Sequence, residues 1–398
     1  DLVDLAKKVN RVKPVSLSVV DTFGAMYEED LDRIISVLDQ NLSDGIKLGF
    51  HSHNNQQLSF ALTMHFVKSF ETRNRGIIVD ASLCGMGRGA GNATTELVAN
   101  RLCQKYYCNY DMNAIMDAID TYMEYFQETY SWGYSTPNFI AGTYCCHVNN
   151  IAYLLRNHRT NAQDMRNIIE SLSPDDRKKY DYDLLESKYL ENQNRVIDDS
   201  LSIEVLRQEM KGRKVLLIAP GETTATEQDK ISRYISAENP LVIDVNAINT
   251  LYRFDYLFLI SAIRYDYAKS VYPKQFNNAN KILLSNIKTE PGDNETIINF
   301  NRVIKRGWPH FDNAVITCLR MLDKLHVGTV IVAGFDGFKK EYNESYADKS
   351  LPTLNPDNKW EELNNEIINM FDDFLLSTES TMKIKFLTES RFDPSRRK

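Results

Sequence analysis

Two stretches in which apolar strand patterns alternate with helical patterns, separated by a long charged and helical stretch, predict an α/β protein with two parallel sheets. In the first stretch every strand pattern ends in polar or glycine-rich residues, at the strand end where (β/α)8 barrels carry their active sites. In the second, strand, turn and helix follow one another as in a doubly wound sheet. The expected architecture is a partial (β/α)8 TIM barrel over 1–105, a helical cap and connector over 106–210, a Rossmann-like domain over 211–345, and a C-terminal helix and tail over 346–398.

Bulk properties agree with that division. A chain of 398 residues exceeds one ordinary core. Its hydrophobic fraction of 43% and charged fraction of 25% are those of a soluble globular protein. A net charge of −7, from 47 basic and 54 acidic residues, gives no general attraction to nucleic acid or to an anionic membrane. The 6 cysteines form no Cys-x-x-Cys and no dense framework, which points to a reducing compartment. No apolar run approaches the roughly 18 residues of a membrane span. The N-terminus also lacks the basic-then-apolar build of a signal peptide. A bacterial-type cytoplasmic protein is expected.

The elements follow in order. Asp1–Asn10 has helical spacing, with Leu2, Leu5, Ala6 and Val9 on one face and no initiator Met, so the chain reads as a fold entered partway. Val15–Val20 is a buried-strand composition breaking at Asp21-Thr22-Phe23-Gly24, with Leu31, Ile34, Ile35 and Leu38 marking the next helix. The strand Ile46–Phe50 then runs into His51-Ser52-His53-Asn54-Asn55. Side chains alternate along a strand, so His51 and His53 point the same way, about 6.5–7 Å apart along the chain. Two imidazoles so placed can hold one divalent metal, and the alternative is a pair of ordinary loop histidines. A helix over Gln57–Phe70 and a strand from Gly76 to Leu83 lead into Gly85-Met86-Gly87-Arg88-Gly89-Ala90-Gly91-Asn92. That loop fits neither Gly-x-Gly-x-x-Gly nor a phosphate loop with Lys-Ser/Thr. It reads instead as a barrel loop whose glycines let the backbone pass close to a ligand and bring Asn92 to a helix start.

Asp21-Thr22-x-Gly24, His51-Ser52-His53-Asn54-Asn55 and Asp80-Ala-Ser-Leu-x-Gly85-Met-Gly87-x-Gly89-Ala-Gly91-Asn92-Ala-x-x-Glu96 together resemble the last three barrel units of the HMGL-like pyruvate aldolases and metallolyases. The loop after Leu83 is similar to that of the 4-hydroxy-2-oxovalerate aldolase type. The resemblance implies that His51 and His53 ligate a divalent metal, manganese or magnesium ahead of zinc. It implies that Asn92 adds a ligand or a supporting contact, and that Asp21 is the strand-end acid lining the pocket. A turn-stabilising Asp21 is the alternative reading. It further implies a tyrosine from the helical region, for which Tyr134 and Tyr144 are the candidates. His147 reads as an ordinary helix histidine. The family's Arg-Asp strand end, with its metal-binding aspartate and base, has no match here, so the chain is expected to be incomplete without N-terminal strands.

From Lys211 the composition changes. Val215–Ile218, Leu241–Val245, Asp255–Ile260, Lys281–Ser285 and Val327–Ala333 read as strands of the second sheet. Pro220-Gly221-Glu222-Thr223 would present free amides and a hydroxyl at a helix start, a place suited to phosphate. The arrangement resembles sialyltransferase-like and pterin diphosphokinase-like folds, which implies nucleotide or nucleotide-sugar binding by Gly221, Thr223, Asn246 and Asp336. His310 stands in the loop before the late helix, where a base would be useful, and the preferred reading is an ordinary surface histidine after Trp308-Pro309.

The expected function is metal-dependent carbon–carbon bond cleavage or formation through a 2-keto acid (pyruvate) enolate, with a small 2-keto acid or aldehyde as substrate. The alternatives are an acyl-CoA condensing enzyme of the same superfamily and a non-catalytic nucleotide- or sugar-binding protein. No nucleic-acid or membrane partner is expected, and a homo-oligomer is left open.

Overall fold

The structure is a computed structural model and describes residues 1–158, 160–289, 292, 294–308, 313–351 and 359–396. The chain divides into two compact units, one of Asp1–Ala152 with Met165–Leu185, the other of Tyr153–Asp164 with Glu186–Lys398. Both are α/β with parallel strands. No described helix is long and apolar enough to cross a membrane.

The first unit holds a three-stranded sheet in the order β1 (Ser16–Asp21), β2 (Lys47–Ser52), β3 (Ile77–Asp80), all parallel. Helices Leu2–Val12, Glu28–Asn41, Ser59–Ser69 and Thr95–Tyr106 accompany it. Apolar residues recur at Leu31, Ile35, Leu38 and Leu42, and this stripe packs with Leu48 and Phe50 of β2 and with Leu62 and Phe66. Arg75 fastens the end of helix Glu28–Asn41 to the start of β3. Its guanidinium donates to the Asp39 carboxylate and to the carbonyls of Asp39, Leu42, Ser43 and Ile46, which satisfies helix-end acceptors with a cation. Among the described residues β1 and β3 each pair on one side only.

Helices Met112–Ala118, Glu124–Thr129 and Thr136–Thr143 follow, and the last of them lies against the turns after β1 and β2. Ser135 caps the last of them, and Pro137 sits in its first turn, where a missing N–H costs nothing. Gly142 lies so close to the turns after β1 and β2 that an added Cβ would stand 3.1 Å from Asn55 Cβ and 3.3 Å from the Gly24 carbonyl.

The second unit is a seven-stranded, wholly parallel sheet. Its strands are β4 (Lys214–Ile218), β5 (Leu241–Val245), β6 (Tyr256–Leu259), β7 (Asn280–Leu284), β8 (Glu295–Ile298), β9 (Thr329–Ala333) and β10 (Lys383–Phe386), in the order β10-β9-β4-β5-β6-β7-β8. Val215, Leu217, Ile243, Val245, Phe258, Val330 and Val332 face a core completed by helices Ser200–Met210, Ala314–Lys324 and Trp360–Ser377. The alternate residues, Leu216, Ile218, Val242, Leu257, Leu283 and Ile331, are buried on the opposite face. Burial on both faces is why these strands read as nearly unbroken apolar runs.

The stretch from 346 onward carries more than a helix and a tail. Lys383-Ile-Lys-Phe386 joins the sheet beside β9, with both lysines exposed, and Phe371 and Phe374 of the preceding helix are buried in the core. His310 lies outside the described residues.

Candidate metal centre

The carboxyl ends of β1, β2 and β3 meet because the register aligns them. Val20 pairs with His51, Asp21 with Ser52, and His51 with Asp80. One residue past β2, His53 forms an antiparallel bridge with Asn92. The two imidazole rings stand edge to face with centroids 5.0 Å apart.

Each ring is held by its Nδ1. His53 Nδ1–H donates to the Asp21 carbonyl at 2.8 Å, and His51 Nδ1 lies 3.5 Å from Asp80 Oδ2. For His53 the bonded Nδ1–H fixes the tautomer in which Nε2 carries a lone pair, the arrangement used by metal-binding histidines. Asn92 supplies a third donor. Its Nδ2 donates to the Met86 carbonyl at 3.0 Å, whereas its Oδ1 is buried with no hydrogen-bond partner. A buried, unsatisfied amide oxygen costs about 1–3 kcal/mol, so its retention beside two imidazoles fits a ligand position. Two imidazole nitrogens and an amide oxygen are a donor set that a divalent cation accepts. No cluster of three or more His, Cys, Asp or Glu that could hold a metal occurs among the described residues.

The Asp21 carboxyl is 3% exposed and accepts from the amides of Ala25 and Met26 at 2.9 and 3.2 Å. Burial pushes it up, and those two amides and nearby His53 pull it back only in part. It therefore shapes the turn after β1 while its carbonyl orients His53. Tyr134 is exposed, and the Tyr144 hydroxyl is held by Glu170 and Arg166 Nε. Neither hydroxyl bonds Asp21, His51, His53 or Asn92.

Two residues that sequence reasoning gave no role are part of this arrangement. Asp80 faces His51 across the β2–β3 register. Asn55, 2% exposed, ties three loops together: Nδ2 donates to the Phe23 carbonyl at 2.9 Å and Oδ1 accepts from Ala90 N–H at 3.0 Å. Both stood inside the recognised motifs, but only strand register and loop closure give them partners.

With this geometry the chain can be set beside known proteins. Residues 1–121 match the model of the HMGL-like family. A 4-hydroxy-2-oxovalerate aldolase from Thermomicrobium roseum is 41% identical over 81 residues, 20% of this chain and 21% of that protein. Proteins of the same name are 36% identical over 97 residues in Geobacillus thermodenitrificans (24% of this chain, 26% of the relative) and 32% over 120 in Bacillus thuringiensis (30% and 33%). The chain thus spans about a fifth to a third of the curated relatives it matches. A solved N-terminal domain from Bacteroides vulgatus, assigned only provisionally to the aldolases, aligns over 38% of this chain and 47% of its own at 24% identity. Its TM-score of 0.34 carries no structural argument. The match to the HMGL-like model and to the aldolases falls in the N-terminal third, on the unit that carries the paired histidines.

In the second unit, Gly221, Asn246 and Asp336 line a small cleft open to solvent, together with buried Arg264 and the start of helix Ala314–Lys324. Thr223 is committed elsewhere: its amide and hydroxyl both donate to the Asp336 carboxylate, at 2.7 and 2.5 Å. The amides expected to meet a phosphate after Gly221 therefore have an internal carboxylate, and the helix there is a single turn, Thr223–Thr226. Gly221 is required by the same closure, since an added Cβ would lie 2.3 Å from the Gly334 carbonyl. Burial pushes Asp336 up to about 6, against the two hydrogen bonds from Thr223.

Proposed function

We propose that the N-terminal unit is the metal-binding part of a divalent-metal-dependent aldolase (lyase) acting on a 2-keto acid such as pyruvate. The observation that carries this reading is the triad of uncommitted donors: Nε2 of His51, Nε2 of His53 and the buried Oδ1 of Asn92. Manganese or magnesium held by these groups would polarise the keto acid and stabilise negative charge developing on its oxygen. The protein's own part is to fix the donors. The Asp21 carbonyl and Asp80 carboxylate orient the rings, and the Met86 carbonyl holds the Asn92 amide so that its oxygen faces away. Asp21 is the buried acid beside the site, its proton affinity raised by burial. Of the two tyrosines, Tyr134 has the hydroxyl left for substrate, because Tyr144 is held by Glu170 and Arg166. Elemental analysis after loading with Mn2+ tests the reading. One bound metal, lost in His51→Ala, is expected; a metal-free wild-type chain would sink it.

A second reading is favoured by one observation in the other unit. The chain runs β4 to β8 outward on one side, then returns to place β9 on the other side of β4. In open α/β sheets ligands bind at such a reversal, beyond the carboxyl ends of the strands. The cavity lined by Gly221, Asn246 and Asp336 lies there. It would take a nucleotide or nucleotide sugar, with Arg264 supplying positive charge. Calorimetric titration with CMP checks this, and absence of heat with CMP and other nucleotides removes it.

A further inference from the structure

The glycine-rich loop of the first unit presents one residue that the metal-binding reading leaves unused. The loop is clamped at both ends: Gly85 N–H donates to the Ser82 carbonyl, Asn92 N–H to the Gly85 carbonyl, and Asn54 N–H to the Gly91 carbonyl, at 3.0, 2.9 and 2.8 Å. Between the clamps Arg88 stands at the tip, flanked by Gly87 and Gly89. A Cβ on Gly87 would lie 2.8 Å from Asn92 Nδ2, so the tip starts against the ligand set. On the other side a Cβ on Gly89 would meet Asn55 Oδ1 at 2.8 Å and Val148 Cγ1 at 3.1 Å, so the tip ends against the covering helices. Arg88 is therefore fixed at the rim, between the donors of the proposed metal and the segment His147-Val148.

Its charge is not neutralised there. Arg88 is exposed, and its side chain makes no ion pair or hydrogen bond among the described residues. The carboxylates close in sequence are engaged: Glu96 accepts from Cys84 N–H at 3.2 Å and Asp80 faces His51. His147, next to Val148, accepts from Asn149 N–H through Nδ1 at 3.1 Å, which leaves Nε2–H as a donor. Burial, and then the Arg88 charge, hold its pKa below the ordinary histidine value, so it stays a neutral donor.

We propose that Arg88 is the specificity-determining residue of this site, pairing with an anionic group, carboxylate or phosphate, at the far end of the aldehyde portion of the substrate, with His147 Nε2–H as second donor. A guanidinium fork suits either oxyanion. The assignment rests on the aldolase reading for the word aldehyde, but the anion site itself does not need turnover.

Two experiments on the full chain separate these claims. In the first, modification of arginines by phenylglyoxal is mapped by mass spectrometry with inorganic phosphate, succinate or uncharged glycerol present. Phosphate or succinate should slow modification of Arg88 at least threefold relative to exposed Arg33, and glycerol should not. The anion that protects better identifies the group. Equal rates at Arg88 in all three overturn the proposal. In the second, with Mn2+ supplied, kcat/KM is compared for pyruvate addition to succinic semialdehyde, glycolaldehyde phosphate and propanal. The wild-type chain should favour an anionic aldehyde at least tenfold, Arg88→Ala should lose that preference, and Arg88→Lys should regain part of it. A preference unchanged in Arg88→Ala overturns the proposal. Protection without turnover would overturn the aldolase reading and leave the anion site standing.

Discussion

Both units end their parallel strands in polar, glycine-rich turns, yet the two sets of turns do different things. In the first unit the polar groups are half used: each imidazole and the Asn92 amide spends one atom on the protein and keeps another back. In the second the groups answer one another. Thr223 donates twice to Asp336, and Glu222 pairs with Lys339. The strand ends hold back candidate donors in one unit and close on one another as a latch in the other. Position at the carboxyl end of a strand is thus a necessary feature of such a site, and leftover valence decides what it becomes.

The largest test of that contrast is His53→Ala. Removing a proposed ligand whose ring is already oriented by the Asp21 carbonyl should weaken Mn2+ binding about a hundredfold or more, roughly 3 kcal/mol, as read by competition with a chelating indicator. Unchanged affinity would mean the held-back nitrogen is not a ligand.

Next in size is the latch. Thr223→Val deletes the hydroxyl bond to a buried carboxylate and should destabilise the second unit by about 2 kcal/mol, measured by urea unfolding. No change would show that the turn after β4 is not held by Asp336.

A smaller effect is expected from Asp80→Asn. The histidine stays but its carboxylate partner is neutralised, so Mn2+ affinity should fall about tenfold. Equal affinities would leave the 3.5 Å approach to His51 without consequence.

The smallest effect is a pH dependence. Asp336 rises from 3.8 to about 6 on folding, so between those values the folded chain keeps a proton that the unfolded chain gives up. Its contribution to stability falls as pH rises through that window and is level above it. Urea midpoints of wild type minus Asp336→Asn should drop between about pH 4 and pH 6; a flat difference would show that burial does not raise this carboxyl.

The parts of this legible in sequence are those encoded locally. The paired histidines showed because strand alternation puts residues two apart on one side, and β4 to β7 and β9 showed because strands buried on both faces are apolar runs. What escaped is non-local. Asp80 meets His51 only through the register of β2 with β3. The turn at Gly221 read as a phosphate cradle because its amides look free until Asp336, more than a hundred residues later, is folded onto them. The place of Lys383–Phe386 beside β9 depends on packing of the helix before it. Glu295–Ile298 is too short, with too little apolar pattern, to announce itself as β8.

That last-joined strand has a bearing on how the molecule behaves among its own copies. β10 closes one end of the seven-stranded sheet, with hydrogen-bonding groups along its outer side unclaimed by any described strand. A bare edge of this kind is an invitation to another strand, and through it to fibres. Lys383 and Lys385, both exposed on that edge, bring two positive charges to any copy that approaches in the same way. Two lysines in a strand of four residues, which take no part in either candidate site, thus guard that edge against pairing with another copy.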